Sequence, residues 1–163
     1  MKPVLTMMIG LPRSGKSSWI KEITKSKDIV ISNDWIRENI LKAPHSKSSN
    51  PAIWMITDAT LRILLSQGQD VILDGVHATK SERKFFLDLA KECNAAVMYV
   101  LVDTPLETCV ARNNRSEHHK LPTEDLIRMG KKFERPTKDE YNSIIYVLDN
   151  KTASIESGSR STI

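Results

Sequence analysis

Short runs of consecutive apolar residues alternate along the chain with longer segments in which apolar residues recur at helical spacing. Runs that stay apolar at successive positions are typical of strands in a parallel sheet that is covered on both faces. The five predicted strands are Val4–Ile9, Ile29–Ile31, Val71–Leu73, Val97–Val102 and Ile144–Leu148. The predicted helices are Ser17–Lys25, Asp34–Lys42, Pro51–Ser66, Ser81–Glu92, Pro105–Arg112 and Thr123–Phe133. Ser81 is the candidate N-cap of the fourth.

This alternation predicts the α/β class, with a five-stranded parallel sheet between two layers of helices. A chain of 163 residues is long enough for one domain with its own core. We place that domain at residues 1–150. Residues 151–163 contain many Ser and Thr and few core-forming side chains, so they are predicted to form a C-terminal loop and a frayed tail.

Composition and charge exclude few classes of protein. The longest uninterrupted apolar run, AAVMYVLV at 95–102, is too short to span a bilayer, so we expect no membrane segment. A net charge of +4 permits an anionic partner without requiring one. Cys93 and Cys109 lack the spacing of a metal site, which favours buried thiols and a cytoplasmic location.

The first strand leads directly into GLPRSGKSS, which matches the phosphate-loop pattern GxxxxGK[ST]. Exposed backbone N–H groups and the start of the next helix hold negative charge in such loops. Lys16 is expected to reach the terminal phosphates of a nucleoside triphosphate, and the Ser17 hydroxyl to join a Mg²⁺ shell. The predicted nucleotide-binding residues are Gly10, Pro12, Arg13, Ser14, Gly15, Lys16, Ser17 and Ser18.

A second group of candidate residues follows the second strand. Asp34 is expected at the carboxyl edge of the sheet, where open α/β folds bind ligands. Arg37 is three residues further on and would share its helix face. Asp34 either accepts the proton of an attacking hydroxyl or merely caps the helix, and Arg37 would hold an anionic group of the acceptor. Trp35 either stacks on a base or packs against the sheet, and we favour packing.

The third strand ends in VILDG, and an acid at this position after a phosphate loop indicates a Mg²⁺ ligand. Asp74 is therefore predicted, with Ser17, to hold Mg²⁺ through water, or else to position the acceptor. His77, in the loop that follows, either contacts substrate or is exposed to solvent. Arg83 is predicted to lie on the surface of the next helix.

After the fourth strand, a polar segment contains Arg112 and Arg115. Arginines that approach the phosphates stabilise the charge of a transferring phosphoryl group. Arg115 is the candidate catalytic arginine of this small lid, and Arg112 the candidate nucleotide-binding one. A solvated basic loop is the alternative.

Together, IGLPRSGKSSW, SNDWIRENI, VILDGVHATKSERK and the RNNR of the lid resemble the 5′-kinase domain of bacteriophage-type polynucleotide kinases. The resemblance extends to the wider group of AAA-type ATP-binding and zeta-toxin-like kinases and covers about residues 4–135. It implies an adenylate-kinase-like P-loop fold and the use of ATP and Mg²⁺. It also implies that Asp34 is the general base, that Arg37 and Asp74 lie on the acceptor side, and that a lid arginine contacts the donor phosphates.

Three functions remain open at this stage. We favour an ATP-dependent kinase that acts on the 5′-hydroxyl of DNA or RNA, so that a nucleic acid is the expected partner. The second is a kinase for a small molecule such as a nucleoside or sugar. The third is an ATP-binding or ATPase module that works through a partner. A GTPase switch is disfavoured because Asp74-Gly75-Val76-His77 lacks the DxxG pattern.

Overall fold

The structure, a computed structural model, describes residues 1–43, 50–117, 120–148 and 151–160. Its centre is a six-stranded sheet with the strand order β2-β3-β1-β4-β5-β6. The strands are β1 Val4–Ile9, β2 Ile29–Ser32, β3 Val71–Asp74, β4 Ala96–Val102, β5 Ser143–Leu148 and β6 Lys151–Ser157. The first five are parallel, as predicted, and β6 pairs antiparallel with β5.

The apolar strands form the core because helices cover both faces of the sheet. On β1, Leu5, Met7, Met8 and Ile9 are fully buried. Leu5, Met7 and Ile9 belong to the larger core cluster, and Met8 belongs to a smaller cluster on the opposite face. Burial of successive residues on two faces explains why the strand has no alternation of apolar and polar residues.

Six α-helices lie in the part of the chain that the structure describes. They are α1 Lys16–Ile23, α2 Asn33–Trp35, α3 Asn50–Ser66, α4 Lys80–Glu92, α5 Leu106–Arg115 and α6 Thr123–Lys131. The chain continues from α2 into a π-helical turn over Ile36–Ile40, so the predicted helix at 34–42 is short and changes its winding. No helix in the described part of the chain is long and apolar enough to cross a membrane.

Helix α4 begins at a different cap from the one predicted. The sequence suggests Ser81, whereas the Thr79 side chain accepts a hydrogen bond from the Glu82 backbone N–H. The Glu82 carboxylate in turn accepts from the Thr79 N–H, which completes a capping box. The reciprocal pair satisfies two backbone donors, so the helix starts two residues earlier than a Ser81 cap would allow.

The prediction of a loop and frayed tail at 151–163 is wrong for the described residues. Residues 151–157 form β6, and the backbone N–H of Gly158 and that of Ser159 donate to the carbonyls of Asn142 and Lys138. Every residue of β6 is exposed. An exposed edge strand buries no side chain, so apolar patterning carried no signal for it. Residues 149–150 and 161–163 lie outside the described residues.

Candidate active site

The phosphate loop joins β1 to α1 and has the backbone shape that its sequence implies. Gly10 and Gly15 have φ angles of +156° and +108°, and Arg13 has a φ of +67°. A side chain at Gly10 would approach the Val102 carbonyl oxygen to 2.8 Å, so only glycine fits there. Pro12 is half-buried at the turn, whereas Ser18 is exposed on the first turn of α1. The predicted loop residues therefore lie together at the carboxyl end of β1.

Lys16 is the buried cation of this loop. Its Nζ donates to the carbonyl oxygens of Gly10 and Leu11, each at 2.9 Å. Burial lowers the pKa of Lys16, and the charges of Asp74 and Asp34 oppose that shift. An ammonium group has three donors, so one N–H remains for a phosphate oxygen. Two carbonyl oxygens thus hold the lysine over the loop.

Asp74 ends β3, the strand next to β1, and accepts a hydrogen bond from the Ser17 hydroxyl at 3.4 Å. Burial raises the pKa of Asp74, and the charge of Lys16 opposes the shift. A hydroxyl and a carboxylate are oxygen ligands of the kind that Mg²⁺ accepts, with the remainder supplied by phosphates and water. The pair therefore fits Mg²⁺. Within the described residues no cluster of three or more acidic, His or Cys side chains is placed to hold a metal.

Asp34 and Arg37 lie at the same edge, one strand further from the loop. Ser32 pairs in register with Asp74, and the Ser32 hydroxyl caps α2 by accepting from the Trp35 N–H at 3.3 Å. Asp34 follows on the first turn, with its side chain 70% exposed. Arg37 is buried and forms an ion pair with Asp34 through Nη1. The structure therefore brings the predicted base and its arginine into contact, with the carboxylate open to solvent.

The packing expected of Trp35 is not observed. Its side chain is 57% exposed, whereas the next residue, Ile36, is 3% exposed and belongs to the core. Ile36 supplies the packing that we expected from the indole.

The lid arginines lie on a helix and not in a loop. Arg112 and Arg115 are in the last turns of α5. Arg112 Nη1 donates to the carbonyl oxygens of Arg13 and Ser14, at 3.2 and 3.1 Å. Arg115, the last residue of α5, is exposed and makes no hydrogen bond or ion pair with any residue that the structure describes. Arg112 is therefore joined to the phosphate loop and Arg115 is not.

His77 is neither exposed nor in position to meet substrate directly. It is 5% exposed, and its Nδ1 lies 2.6 Å from the Met8 carbonyl oxygen. The neighbouring Val76 carbonyl accepts from the Gly10 N–H at 3.2 Å. Burial lowers the pKa of His77 to about 4, so the ring is neutral at pH 7 and Nδ1–H is the donor. Residues 76 and 77 therefore fix the start of the phosphate loop.

Arg83 is fully buried, which corrects the surface position predicted for it. It forms a two-pronged ion pair with Glu140 at 2.7 and 3.2 Å. Its Nη1 also donates to the carbonyl oxygens of His77 and Glu134, at 3.1 and 2.9 Å. No periodicity marks a buried ion pair between residues 57 positions apart, so sequence reasoning missed this contact.

Known proteins resemble this chain in sequence and in fold. A family model described as an AAA domain (AAA_33) matches residues 5–136. A curated relative, L-seryl-tRNA(Sec) kinase from Methanococcus maripaludis, is 27% identical over 139 residues, covering 82% of this chain and 53% of its own length. The chain thus spans about half of that relative.

Two solved structures share the P-loop kinase fold. One is from the Pnkp1/Rnl/Hen1 RNA repair complex, with a TM-score of 0.68 and 21% identity over 80% of this chain and 43% of that one. The other is the APS kinase CysC of Mycobacterium tuberculosis in complex with AMPPNP and APS. Its TM-score is 0.63, with 16% identity over 92% of this chain and 90% of that one.

Proposed function

Because the chain belongs to the AAA_33 family, we propose that it is an ATP-dependent kinase that phosphorylates the 5′-hydroxyl of a polynucleotide. The observation that carries this proposal is the line of polar groups along one edge of the sheet. Lys16 and Ser17 follow β1, Asp74 ends β3, and Asp34 follows β2, the next strand. Such an order suits a donor phosphate at one end and an acceptor hydroxyl at the other.

On the donor side, the loop N–H groups and Lys16 bind the phosphates of ATP. Ser17 and Asp74 would hold Mg²⁺, which neutralises charge on the transferring phosphoryl group when it is bound. Arg112 braces the loop through the Arg13 and Ser14 carbonyls. Arg115 is exposed at the end of the same helix, and the family resemblance is what assigns a lid arginine to the donor phosphates.

On the acceptor side, Asp34 accepts the proton of the attacking hydroxyl. The hydroxyl oxygen forms a bond to the γ-phosphorus while the bond to the bridging oxygen of ADP breaks. Arg37 orients the Asp34 carboxylate through their ion pair. A solvent-facing carboxylate matches a reaction in which the acceptor enters from outside.

A second candidate is the hydroxyl of a seryl group carried on tRNA. It is favoured by the relative named L-seryl-tRNA(Sec) kinase, whose match covers most of this chain. Both candidates place a hydroxyl carried by a nucleic acid at Asp34, and they differ in whether that hydroxyl belongs to a terminal sugar or to an amino acid.

The deciding experiment supplies γ-labelled ATP and Mg²⁺ with a panel of acceptors. The panel contains 5′-hydroxyl RNA and DNA oligonucleotides, seryl-tRNA, nucleosides and sugars, with Lys16→Ala as the inactive control. We expect label on the oligonucleotides and none with the control. Label on seryl-tRNA alone would replace the first candidate by the second. Label on a metabolite alone, or ATP hydrolysis without a labelled acceptor, would overturn both.

A further inference from the structure

We propose that Trp35 is the surface on which the terminal nucleobase of the acceptor stacks while its 5′-hydroxyl lies at Asp34. This inference rests on the proposed function and deepens it, because it names the part of the acceptor that the protein recognises. An acceptor held in this way must have an unpaired aromatic base next to the hydroxyl.

The first step is the direction of each side chain on the short α2 segment. Successive residues of a helix are rotated by about 100°. Ile36 is directed into the core, so Asp34, two residues before it, faces solvent. Trp35 and Arg37 then lie on either side of Asp34. The exposed carboxylate is flanked by a buried arginine on one side and an exposed indole on the other.

The second step is the rigidity of the backbone at this position. The Trp35 N–H donates to the Ser32 hydroxyl at 3.3 Å, and its carbonyl accepts from the Asn39 side chain at 3.1 Å. The π-helical turn begins at the next residue, Ile36. Single π-helical turns occur frequently at functional sites, where they set the direction of particular side chains. The indole is therefore presented from a fixed backbone.

The third step is the contrast with the other two tryptophans. Trp19 is 5% exposed, and Trp54 stacks on Phe86 with ring centroids 5.1 Å apart. Both contribute to packing. Trp35 is 57% exposed, so it leaves a large aromatic surface in water next to Asp34, the proposed general base. Single exposed apolar residues are normal on protein surfaces. Beside a nucleic-acid site, however, exposed aromatic rings are the usual stacking partners of unpaired bases.

The test compares two acceptors that share the same 5′-hydroxyl. One is a single-stranded oligonucleotide with adenine at its first position, and the other has an abasic first sugar. We expect the wild-type kcat/KM to fall by about 5- to 150-fold when the base is removed, the range of one base–aromatic stack. Trp35→Ala should show a similar loss on the adenine acceptor and no further loss on the abasic one. Trp35→Phe should retain part of the preference.

Met55→Ala is the matched control, because Met55 is an apolar side chain of 73% exposure on α3, outside the site. It should leave both kcat/KM values unchanged. An equal loss for Trp35→Ala on both acceptors indicates a merely structural role and overturns the proposal. The absence of any loss on either acceptor does the same.

Tryptophan fluorescence gives a readout that does not depend on turnover. The adenine oligonucleotide should quench the emission of the wild type but not that of Trp35→Phe, and the abasic oligonucleotide should quench neither. If no oligonucleotide is phosphorylated, the proposed function fails, and this titration still decides the inference. Equal quenching by both oligonucleotides, or none, would overturn it.

Discussion

The donor side and the acceptor side of the candidate site are built differently. On the donor side, Lys16 is buried and bonded to two loop carbonyls, and the loop is fixed by contacts from the β3–α4 loop and α5. On the acceptor side, Asp34 and Trp35 are exposed on a helix of three residues that changes to π-helical winding.

This difference separates the binding of the triphosphate from the recognition of the acceptor. Binding of a triphosphate requires backbone donors and one cation in a fixed geometry, and contacts within the donor side hold these groups in place. Recognition of an acceptor depends on a few exposed side chains, which can differ between proteins while the fold stays the same. Changes on the two sides should therefore affect different kinetic parameters.

The largest effect is expected from Asp34→Asn. The amide cannot accept the hydroxyl proton, so kcat for transfer should fall by about 10²–10⁴-fold, the usual contribution of a general base. ATP affinity should stay unchanged, and the unfolding free energy should fall only slightly, because the side chain is 70% exposed and its amide oxygen can still accept from the buried Arg37. Steady-state rates, nucleotide titration and urea unfolding measure the three quantities. Glu38→Gln, an exposed acid of the π-helical turn, is the control. A transfer rate within twofold of the wild type would remove Asp34 from the mechanism.

Substitution of the two arginines of α5 tests whether they have separate roles, one in transfer and one in ATP binding. A hydrogen bond to a charged group contributes about 1.5–3 kcal/mol, or roughly 10- to 150-fold. Arg115→Ala should lower kcat by that factor with little change in the KM for ATP. Arg112→Ala should instead raise the KM for ATP, because it loses its bonds to the Arg13 and Ser14 carbonyls. The reverse pattern would exchange the two roles.

The variant Asp74→Asn tests whether Asp74 belongs to the donor side or to the acceptor side. If Asp74 holds Mg²⁺ through water, the Mg²⁺ concentration for half-maximal velocity should rise by about 10- to 100-fold. The KM for the acceptor should not change. Mg²⁺ titrations at saturating ATP measure the first quantity. An unchanged Mg²⁺ requirement together with a raised acceptor KM would place Asp74 on the acceptor side, as the family resemblance implies.

The donor side was more accessible to sequence reasoning than the acceptor side. The phosphate loop depends on residues that are close in sequence, so one motif specified Gly10 to Ser17 together with the strand before it and the helix after it. The five parallel strands were predictable because burial on both faces leaves continuous apolar runs. Local pattern and tertiary structure agree there.

The remaining features depend on contacts that no local pattern carries. Arg83 is buried only because Glu140 is placed against it by the fold, and His77 is buried because its ring reaches the Met8 carbonyl. Trp35 is exposed because Ile36 occupies the core position. Strand β6 forms through backbone pairing alone. Each feature depends on a long-range contact or on backbone pairing. Neither leaves a periodic pattern of side chains in the sequence.

The smallest effect concerns His77, which joins the β3–α4 loop to the strand that leads into the phosphate loop. Its pKa is about 4 in the folded protein, below the ordinary value of 6.5, because burial disfavours the charged ring. Between these two values the unfolded chain binds a proton that the folded protein does not, so stability falls as the pH falls. From pH 7.5 to pH 5.5 this group should lower the unfolding free energy by about 1 kcal/mol.

Urea unfolding of the wild type and His77→Asn across this range measures the effect. Asparagine tolerates the positive φ of 46° at this position and does not titrate, so the variant should lack this part of the pH dependence. Its unfolding free energy should be lower at pH 7.5, because the bond to the Met8 carbonyl is lost. Parallel pH profiles for the two proteins would show that the ring is solvated and does not brace the phosphate loop. A steeper wild-type profile, with ATP affinity weakened only in the variant, would show that the donor side is preformed by this buried contact.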